Sequence, residues 1–386
     1  AMKLEGVGFV EEPKRVYPNG HLMGQVLGFT NIDSTGIEGI EYRYDNLLIG
    51  KPGKITLKKD ALGRKIVSNP DIVEDFGEEK ISGHEIVLTI DAQIQHIVER
   101  ELKEGIEQMS GEKGMAIVLN PETGEVLAMA SYPFLDPNDY RKYPLENRRN
   151  LPIWYTYEPG STMKVFLAAA ALQEGKATSE TEFYCENGRR KIGGRTIKDV
   201  KPYGTLTLSD VVRVSSNIGA SKIGELLGKE SYYRYLKKFG FGDKTGIDLP
   251  GESGGLLYNP KYWGKIELAT ISFGQGVSVT SLQLASALSA IANGGYLMKP
   301  HLVKKITGPD GTVIRENEPE VVSRVLSYDT AAEVTRIMER VVEEGSGKKA
   351  AIPGYKVAGK TGTAQIPDPV NGGYYSDRYI ASFIGL

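Results

Sequence analysis

The sequence predicts an α+β fold in two parts, and three observations lead to this prediction. The chain has 386 residues, which is long for one hydrophobic core, so a two-domain arrangement is expected. Strand-like patterns stand near both ends of the longer part with helical patterns between them, typical of an α+β domain whose first and last strands can share one sheet. Residues 1 to about 80 are rich in Gly, Lys and Glu and offer little core. We therefore predict an accessory module, residues 1–80, and a larger domain, residues 81–386.

The composition is that of an ordinary globular protein. Hydrophobic residues make up 40% and charged residues 25%, and the formal net charge of −2 gives no global attraction to nucleic acid or anionic lipid. The single cysteine, Cys185, excludes an internal disulfide and a thiolate-rich metal site. The four histidines are scattered and lack the spacing of a zinc helix. We expect no metal, no cofactor and no nucleic-acid partner.

The sequence itself has no membrane-spanning pattern. It contains no run of about 18 or more apolar residues, the minimum for a membrane helix, and its start does not resemble a signal peptide. As written, the chain is expected to be soluble. The start Ala1-Met2-Lys3 is typical of an expression remnant ahead of a mid-protein start, which leaves room for a membrane anchor outside this sequence.

The accessory module is predicted to be extended and β-rich. Turn signals occur at residues 18–20 and 51–53, and residues 54–57 have strand character. The charge-rich stretch 74–80 is predicted to be the linker to the larger domain.

The larger domain is predicted to open with a strand at residues 85–90 and a helix capped by Asp91. In that helix Ile94, Val98 and Leu102 share one face, and Ile97 and Ile106 widen it. Apolar runs 115–119 and 125–130, joined by a turn at 120–124, predict a β-hairpin. Strand character returns at 355–358 and at 379–384. Two later helices have capping-box spacing at their starts: Thr280 with Gln283 ahead of 282–292, and Thr330 with Glu333 ahead of 331–342.

The first segment that indicates chemistry contains Ser161 and Lys164. Pro159-Gly160 breaks the chain just before a helix, so Ser161 lies where free N–H groups and the helix dipole favour negative charge. Lys164 lies one turn later on the same face. The apolar flank 165–172 predicts a buried helix, in which a lysine loses its proton more easily and can activate a neighbouring serine. A helix-capping serine beside a lysine that reaches the surface is the plain structural alternative.

The second segment is Ser215-Ser216-Asn217, which stands between helical patterns at 208–214 and 218–223. A hydroxyl and an amide at an interhelical turn can pass a proton and hold a substrate amide. A Ser/Asn turn without any role is the alternative, because these residues are common in turns.

The third segment, residues 359–364, follows the strand run 355–358. Gly362 on an edge strand would let a peptide backbone approach closely. The hydroxyls of Thr361 and Thr363 with the charge of Lys360 can form a carboxylate pocket. A basic strand with a bulge at glycine is the alternative.

Taken together and in this order, residues 161–164, 215–217 and 360–363 resemble the three signature motifs of the penicillin-binding proteins and serine β-lactamases. Further stretches are similar to class B penicillin-binding proteins, with the best fit to the division and sporulation-septum transpeptidases: residues 88–95, 120–129, 240–242 and 272–280. Residues 15–18 and 36–41 resemble the non-catalytic, dimerisation-like pedestal of that family. The resemblance covers nearly the whole chain. It implies a transpeptidase domain with an antiparallel sheet flanked by a helical subdomain, plus a partial β-rich pedestal.

The resemblance also implies the reaction. Ser161 would attack the penultimate D-Ala carbonyl of a stem pentapeptide, and Lys164 would take its proton. Ser215 would relay a proton to the leaving group with help from Lys360. The backbone N–H groups of Ser161 and Thr363 would form the oxyanion hole. Release of D-Ala leaves an acyl-enzyme, which an amine of a neighbouring stem peptide converts into a cross-link.

Substrate contacts follow from the same resemblance. Asn217 would hold the substrate amide, and Thr361 and Thr363, with Gly362 between them, would bind the terminal carboxylate. β-Lactams would mimic the acyl donor and stall as an adduct on Ser161.

Partners and location are implied by the family as well. We expect an enzyme anchored in the inner membrane that acts at its periplasmic face, with a membrane glycosyltransferase and division proteins as partners. The family's amino-terminal anchor, its first pedestal strands, and the strand and helix that usually follow the third motif are not in this sequence, which stops at Leu386. Two alternatives stay open: a β-lactamase or D,D-carboxypeptidase, which would resolve the acyl-enzyme with water, and an inactive penicillin-binding scaffold or sensor.

Overall fold

The fold is that of a computed structural model, which describes residues 14–50, 82–368 and 370–386. The helices of these ranges are, in chain order, α1 (Gly24–Leu27), α2 (Gly39–Arg43), α3 (Asp45–Leu48), α4 (Ala92–Gln108), α5 (Leu145–Arg148), α6 (Leu151–Trp154), α7 (Met163–Gln173), α8 (Leu208–Val214), α9 (Asn217–Leu227), α10 (Lys229–Lys238), α11 (Lys265–Ser272), α12 (Ser281–Ala292) and α13 (Tyr328–Glu343). The strands are β1 (Glu85–Leu88), β2 (Gly114–Leu119), β3 (Val126–Tyr132), β4 (Glu182–Tyr184), β5 (Arg189–Ile192), β6 (Arg195–Lys198), β7 (Thr205–Thr207), β8 (Tyr296–Met298), β9 (Val303–Thr307), β10 (Val313–Glu316), β11 (Val321–Arg324), β12 (Gly359–Pro367) and β13 (Tyr374–Gly385).

The chain divides into two compact units. The first contains the described residues up to Leu88, together with Phe134–Arg148 and Val303–Asn317. The second contains Thr89–Pro133, Arg149–Leu302 and Glu318–Leu386. The predicted module boundary at residue 80 lies outside the described residues, as do the predicted turn 51–53, the strand-like stretch 54–57 and the linker 74–80.

The first unit combines short helices with one small sheet. Strands β1, β9 and β10 form an antiparallel sheet with β9 in the middle. The ring of Phe29 stacks on that of Tyr140 with 4.1 Å between their centroids, and Arg15 Nε donates to the buried carboxylate of Glu41 at 2.6 Å. The predicted turn at 18–20 is present. Residues 14–50 of the predicted module therefore form turns and the short helices α1 to α3.

The second unit opens with elements that were predicted. Strands β2 and β3 form the expected antiparallel hairpin, and the Asp91 carboxylate caps α4 by accepting from Gln93 N and Ile94 N. The prediction for Ile97 was wrong, because its side chain is 49% exposed. Gln95 is fully buried instead and bonds to the backbone of Met129 on β3 through both ends of its amide.

The helical part of the second unit is packed around α7. This helix is buried along residues 163–171, as its apolar sequence predicts. Phe166 lies edge-on to both Phe239 and Phe241, with 5.1 Å between ring centroids in each pair. Helices α9, α10, α11 and α13 all contact α7. The helix that carries the predicted nucleophile is therefore held on several sides.

Two predicted element starts need correction. The predicted box at Thr280 is present and begins α12, but α13 begins at Tyr328, and its cap is Ser327, whose Oγ accepts from Thr330 N at 3.2 Å. The serine has the same three-residue spacing as the predicted threonine and stands one turn earlier. Residues 355–358 follow a turn at Gly354 (φ 84°) and are not a strand; β12 starts at Gly359, so the third motif lies within the strand.

The prediction that the first and last strands share a sheet was also wrong for the described residues. The predicted first strand, now β1, pairs with β9, whereas the last strand, β13, pairs within the described residues only with β12, and β2 with β3 forms another separate two-stranded antiparallel sheet. Helix α12 contacts both β2 and β13. The two hairpins are thus joined through helix packing and not by shared hydrogen bonds. The fold class itself, antiparallel strands flanked by a helical subdomain, is as predicted.

Candidate active site

The predicted nucleophile lies at the start of α7. Residues Gly160–Thr162 form a single 3-10 turn that leads into the helix. Gly160 has a φ of 56°, and its N–H donates to the Gly274 carbonyl at 3.0 Å. A Cβ on Gly274 would lie 2.0 Å from the Gly160 carbonyl oxygen. These two glycines allow the backbone approach that holds Ser161 at the helix start.

Lys164 contacts the nucleophile directly. Its Nζ lies 2.9 Å from Ser161 Oγ, and it donates to the Ser215 carbonyl oxygen at 2.7 Å and to Asn217 Oδ1 at 2.8 Å. These two oxygens can only accept. A neutral amine has two hydrogens and one lone pair, so both hydrogens are used on these acceptors. The lone pair is then available to the Ser161 hydroxyl.

The electrostatics of the site favour that neutral amine. Burial lowers the pKa of Lys164 well below its usual value, the charge of Lys360 lowers it further, and the Asp199 carboxylate opposes the shift. Burial also lowers the pKa of Lys360 to about 8. Two buried ammonium groups side by side repel each other, so one gives up its proton first. Lys164, with its pKa lowered by both burial and a neighbouring charge, is that group.

The second motif forms the predicted interhelical turn. Helix α8 ends at Val214, and the next residue, Ser215, has a left-handed φ of 66°. Ser216 caps α9 by accepting from Gly219 N at 2.9 Å. The Ser215 hydroxyl lies 3.1 Å from the Nζ of Lys164 and 3.1 Å from the Nζ of Lys360. One hydroxyl therefore bridges two amines, as a proton relay requires.

Strand periodicity sorts the third motif into two faces. Lys360 and Gly362 are buried, Thr361 is half-buried and Thr363 is exposed. Thr361 and Thr363 thus share the accessible face, while the Lys360 Nζ bonds to the Thr361 carbonyl at 3.0 Å. The predicted pair of threonine hydroxyls stands on one face, and the lysine charge lies on the other side of the strand.

Gly362 serves a different purpose from the one expected. A Cβ at this position would lie 2.4 Å from Ser382 Oγ, 2.9 Å from Thr162 Cγ2 and 3.0 Å from the Pro159 carbonyl oxygen. The close neighbours are therefore parts of this chain, namely β13 and the segment 159–162 that contains Ser161. The glycine lets β12 lie against the nucleophile segment, and substrate approach is not needed to explain it.

The structure adds residues that the sequence did not point to. Asp199 accepts hydrogen bonds from the start of α9, and Ser346 Oγ lies 2.8 Å from Thr361 Oγ1. Glu158 accepts from Gly276 N at 2.8 Å and from the Tyr374 hydroxyl, and burial raises its pKa. Of these, Glu158 had a signal, since it stands three residues before the nucleophile. Asp199 and Ser346 are brought to the site by tertiary structure alone.

All three motifs converge on Ser161.

Among residues 14–50, 82–368 and 370–386, no group of three or more His, Cys, Asp or Glu is placed to hold a metal ion. In that same part of the chain, no helix is both long and apolar enough to cross a lipid bilayer. Cys185 is buried and 3.5 Å from the Ser216 hydroxyl.

Comparison with known proteins agrees with this fold and site. A family model described as the penicillin-binding protein transpeptidase domain matches residues 114–386, and a second, described as the penicillin-binding protein dimerisation domain, matches residues 1–88. The chain belongs to the penicillin-binding protein transpeptidase family, and to the class B, division and sporulation-septum type within it.

Individual relatives resemble the chain along its whole length. It is 40% identical to stage V sporulation protein D of Bacillus subtilis, with 100% of this chain and 59% of that protein covered. It is 37% identical to the peptidoglycan D,D-transpeptidase FtsI of Escherichia coli, with 100% and 62% covered. The chain thus spans about three fifths of the length of these relatives. The crystal structure of penicillin-binding protein 3 from Mycobacterium tuberculosis is similar, with a TM-score of 0.86, 33% identity, and coverage of 97% of this chain and 81% of that one.

Proposed function

We propose that this chain carries the acylating site of a peptidoglycan D,D-transpeptidase, with Ser161 as nucleophile and Lys164 as general base. The observation that carries the proposal is the 2.9 Å separation between Ser161 Oγ and Lys164 Nζ, in a setting that lowers the pKa of the lysine well below its usual value. A neutral amine at hydrogen-bond distance from a hydroxyl makes an activated nucleophile.

Acylation follows from these positions. Ser161 Oγ attacks the carbonyl carbon of the penultimate D-Ala, and its proton passes to the Lys164 lone pair. The oxyanion is stabilised by the backbone N–H groups of Ser161 and Thr363. In support, a Cβ on Gly160 would lie only 2.8 Å from the Thr363 carbonyl, so the two backbones are close.

Collapse of the tetrahedral intermediate breaks the peptide C–N bond. The departing D-Ala nitrogen takes its proton through Ser215 Oγ, which is within 3.1 Å of both lysine amines. The result is an ester on Ser161 and free D-Ala. In the second half-reaction an acceptor amine attacks the ester, its proton moves to Lys164, and the Ser161 hydroxyl is restored as the cross-link forms.

The donor peptide is held by the second and third motifs. Asn217 receives the substrate amide, and the hydroxyls of Thr361 and Thr363 bind the terminal carboxylate, flanking Gly362 on β12. Lys360 contributes positive charge behind them. The accessible face shared by the two threonines supports this role.

β-Lactams are expected to acylate the same serine. A further crystal structure of Mycobacterium tuberculosis penicillin-binding protein 3, which is 33% identical to this chain, is that of its complex with ampicillin. Rapid hydrolysis of the adduct, as in a β-lactamase or carboxypeptidase, requires a base that activates water. The carboxylates of Asp199 and Glu158 are the acidic groups that accompany the three motifs. Each already accepts hydrogen bonds from protein groups, which leaves it less available to activate a water molecule. This favours a long-lived acyl-enzyme.

The likeness to a protein named for sporulation and to one named FtsI supports a role in septal cell-wall synthesis. On the same basis we place the site on the periplasmic side of the inner membrane, in a membrane-anchored protein. A membrane glycosyltransferase and division proteins are the proposed partners. The intact motifs disfavour an inactive scaffold or sensor, which has no use for a neutral lysine beside a serine.

The test is intact-mass measurement after exposure to benzylpenicillin, with Ser161→Ala as the control. The chain should gain the mass of one penicillin and keep it after the free drug is removed, and the control should gain nothing. Loss of the adduct within seconds would identify a β-lactamase, and no adduct at all would identify a scaffold. With a stem pentapeptide and an acceptor amine, release of D-Ala together with a cross-linked product distinguishes a transpeptidase from a carboxypeptidase.

A further inference from the structure

Asp199 is the residue outside the three motifs that is most closely tied to them. It follows strand β6 and is half-buried. Its Oδ1 accepts from Asn217 N at 2.5 Å and from Ile218 N at 3.1 Å. Its Oδ2 accepts from the Ser216 hydroxyl at 2.6 Å. One carboxylate therefore binds the first turn of the helix that begins with the second motif.

The adjoining backbone fixes the Asn217 side chain as well. Asn217 Nδ2 donates to the Lys198 carbonyl at 3.1 Å, which turns Oδ1 towards Lys164, whose Nζ donates to it at 2.8 Å. The 198–199 segment thus orients both the backbone and the amide of Asn217. The direction of the Lys164 lone pair depends on that orientation, because Asn217 Oδ1 takes one of the two amine hydrogens.

We propose that Asp199 is a positioning residue for the Ser161–Lys164 pair, acting through its hydrogen bonds to the start of α9 at Asn217 and through its negative charge. The inference rests on the proposed function, since it assumes that acylation of Ser161 is the reaction being served.

The direction in which Asp199 shifts the pKa of Lys164 is fixed by the charges around the Ser161–Lys164 pair. Burial and Lys360 lower the pKa of Lys164, and Asp199 raises it. Tyr203 and Cys185 also face Asp199, and burial raises the pKa of each, so both stay uncharged while Lys164 titrates. Removing the Asp199 charge therefore lowers the pKa of Lys164 further, and the amine stays neutral to lower pH.

Two basic groups on the adjoining helices are in ion pairs. Arg213 on α8 lies 2.9 Å from Asp210, and Lys222 on α9 lies 2.8 Å from Glu186. These two charges stay neutralised when Asp199 is substituted, so a change in the titration of Lys164 can be assigned to the loss of the Asp199 charge.

The competing explanation is that Asp199 only caps α9. A cap contributes stability and no more, so its loss lowers the melting temperature without moving a pH profile. A positioning charge moves the profile. Asp91 offers a matched control, because it caps α4 through two backbone N–H groups in the same way and belongs to none of the three motifs.

The experiment measures the second-order rate constant for acylation by a fluorescent penicillin across the acid range, for the native chain, Asp199→Asn, Asp199→Glu and Asp91→Asn. In Asp199→Asn the acid-limb midpoint should move to lower pH by about one unit, as expected for loss of one nearby charge. The plateau rate should fall about tenfold, because Asn217 is no longer held in place. Asp199→Glu should lose rate and keep the native midpoint, and Asp91→Asn should keep both.

Each outcome is decisive. An unshifted midpoint in Asp199→Asn overturns the proposal, because the charge then has no effect on Lys164, and an unshifted midpoint together with a native rate makes Asp199 a cap only. If that variant does not fold, Asp199→Glu decides: a native rate overturns the proposal, and a reduced rate at the native midpoint supports it. Failure of the native chain to label would instead reject the proposed function itself.

Discussion

The missing side chain of Gly362 provides a quantitative test of how β12 meets the nucleophile segment. In Gly362→Ala the new Cβ would lie 2.4 Å from Ser382 Oγ, 2.9 Å from Thr162 Cγ2 and 3.0 Å from the Pro159 carbonyl. The serine hydroxyl can rotate away, but the carbonyl belongs to the backbone. Forcing an extra carbon into a packed site typically costs about 1–3 kcal/mol. We expect the free energy of unfolding to fall by about 2 kcal/mol and the melting temperature by about 4–8 °C.

Acylation should suffer more than stability. Two of the three close atoms belong to Pro159 and Thr162, on either side of Ser161 in the chain, so relief of the clash displaces the nucleophile, and the penicillin acylation rate should fall at least about tenfold. Adding Ser382→Ala removes the contact on β13. The double variant should recover part of the melting temperature, whereas acylation stays slow because Thr162 and Pro159 are unchanged.

A matched control is available on α4. A Cβ on Gly105 would meet nothing within 4 Å, so Gly105→Ala should raise stability by about 0.5–1 kcal/mol through helix propensity and leave acylation unchanged. The measurements are thermal unfolding by circular dichroism and fluorescent-penicillin labelling. Native values of both in Gly362→Ala would refute the close packing of β12 on the nucleophile turn.

Three other predictions concern separate parts of the molecule. Phe166→Ala removes a fully buried ring that packs edge-on to Phe239 and Phe241; urea unfolding should show a loss of about 3–5 kcal/mol, and a loss below about 1 kcal/mol would contradict the packing. Ser346→Ala removes the 2.8 Å contact with Thr361; acylation at low penicillin concentration should fall about threefold to tenfold, the value of one hydrogen bond, while the melting temperature stays native. An equal fall in the saturated rate would argue against a binding role. Lys360 has a pKa of about 8, so its charge is present below that pH and is lost above it; in Lys360→Met the alkaline limb of acylation should disappear, and its persistence would assign that limb to another group.

Local spacing was enough to predict the parts of the site that lie within one element. Ser161 and Lys164 are three residues apart, and helix geometry places such residues side by side, as the 2.9 Å contact confirms. In the observed strand β12, the two-residue period accounts for Thr361 and Thr363 lying on one face. The break at Pro159-Gly160 marked the helix start for the same local reason.

Contacts between distant segments were not predictable from one sequence. Asp199 accepts hydrogen bonds from the first N–H groups of a helix that begins 18 residues later, and nothing in the composition of its loop marks it. Gly362 was expected to let a substrate approach the strand. A glycine in a strand indicates that some group comes close to the backbone there, but the sequence does not show whether that group belongs to a substrate or to this chain. At α13, Ser327 and Thr330 are both residue types that can cap a helix, and only the chain path selects Ser327 as the cap and places Thr330 in the first turn.

The wrong prediction for Ile97 on α4 is explained by a buried polar residue. The apolar residues of the helix were expected to form its buried face, and Ile97 was included in that face. The buried position belongs instead to Gln95, whose amide satisfies the backbone of β3 at both ends. Hydrogen-bond satisfaction thus outweighed hydrophobicity at one turn of the helix.

The central claim is that Lys164 is an uncharged amine when it meets Ser161, and the pH dependence of acylation of the native chain tests it most directly. The second-order rate constant for labelling by benzylpenicillin should be measured from about pH 5 to about pH 10. A lysine base with a lowered pKa is active above that pKa and inactive below it, so the rate should already be maximal near neutral pH and should fall above about pH 8, where Lys360 loses its charge. A rate that keeps rising towards the ordinary lysine value of 10.5 would show that Lys164 is charged at neutral pH and would contradict the account.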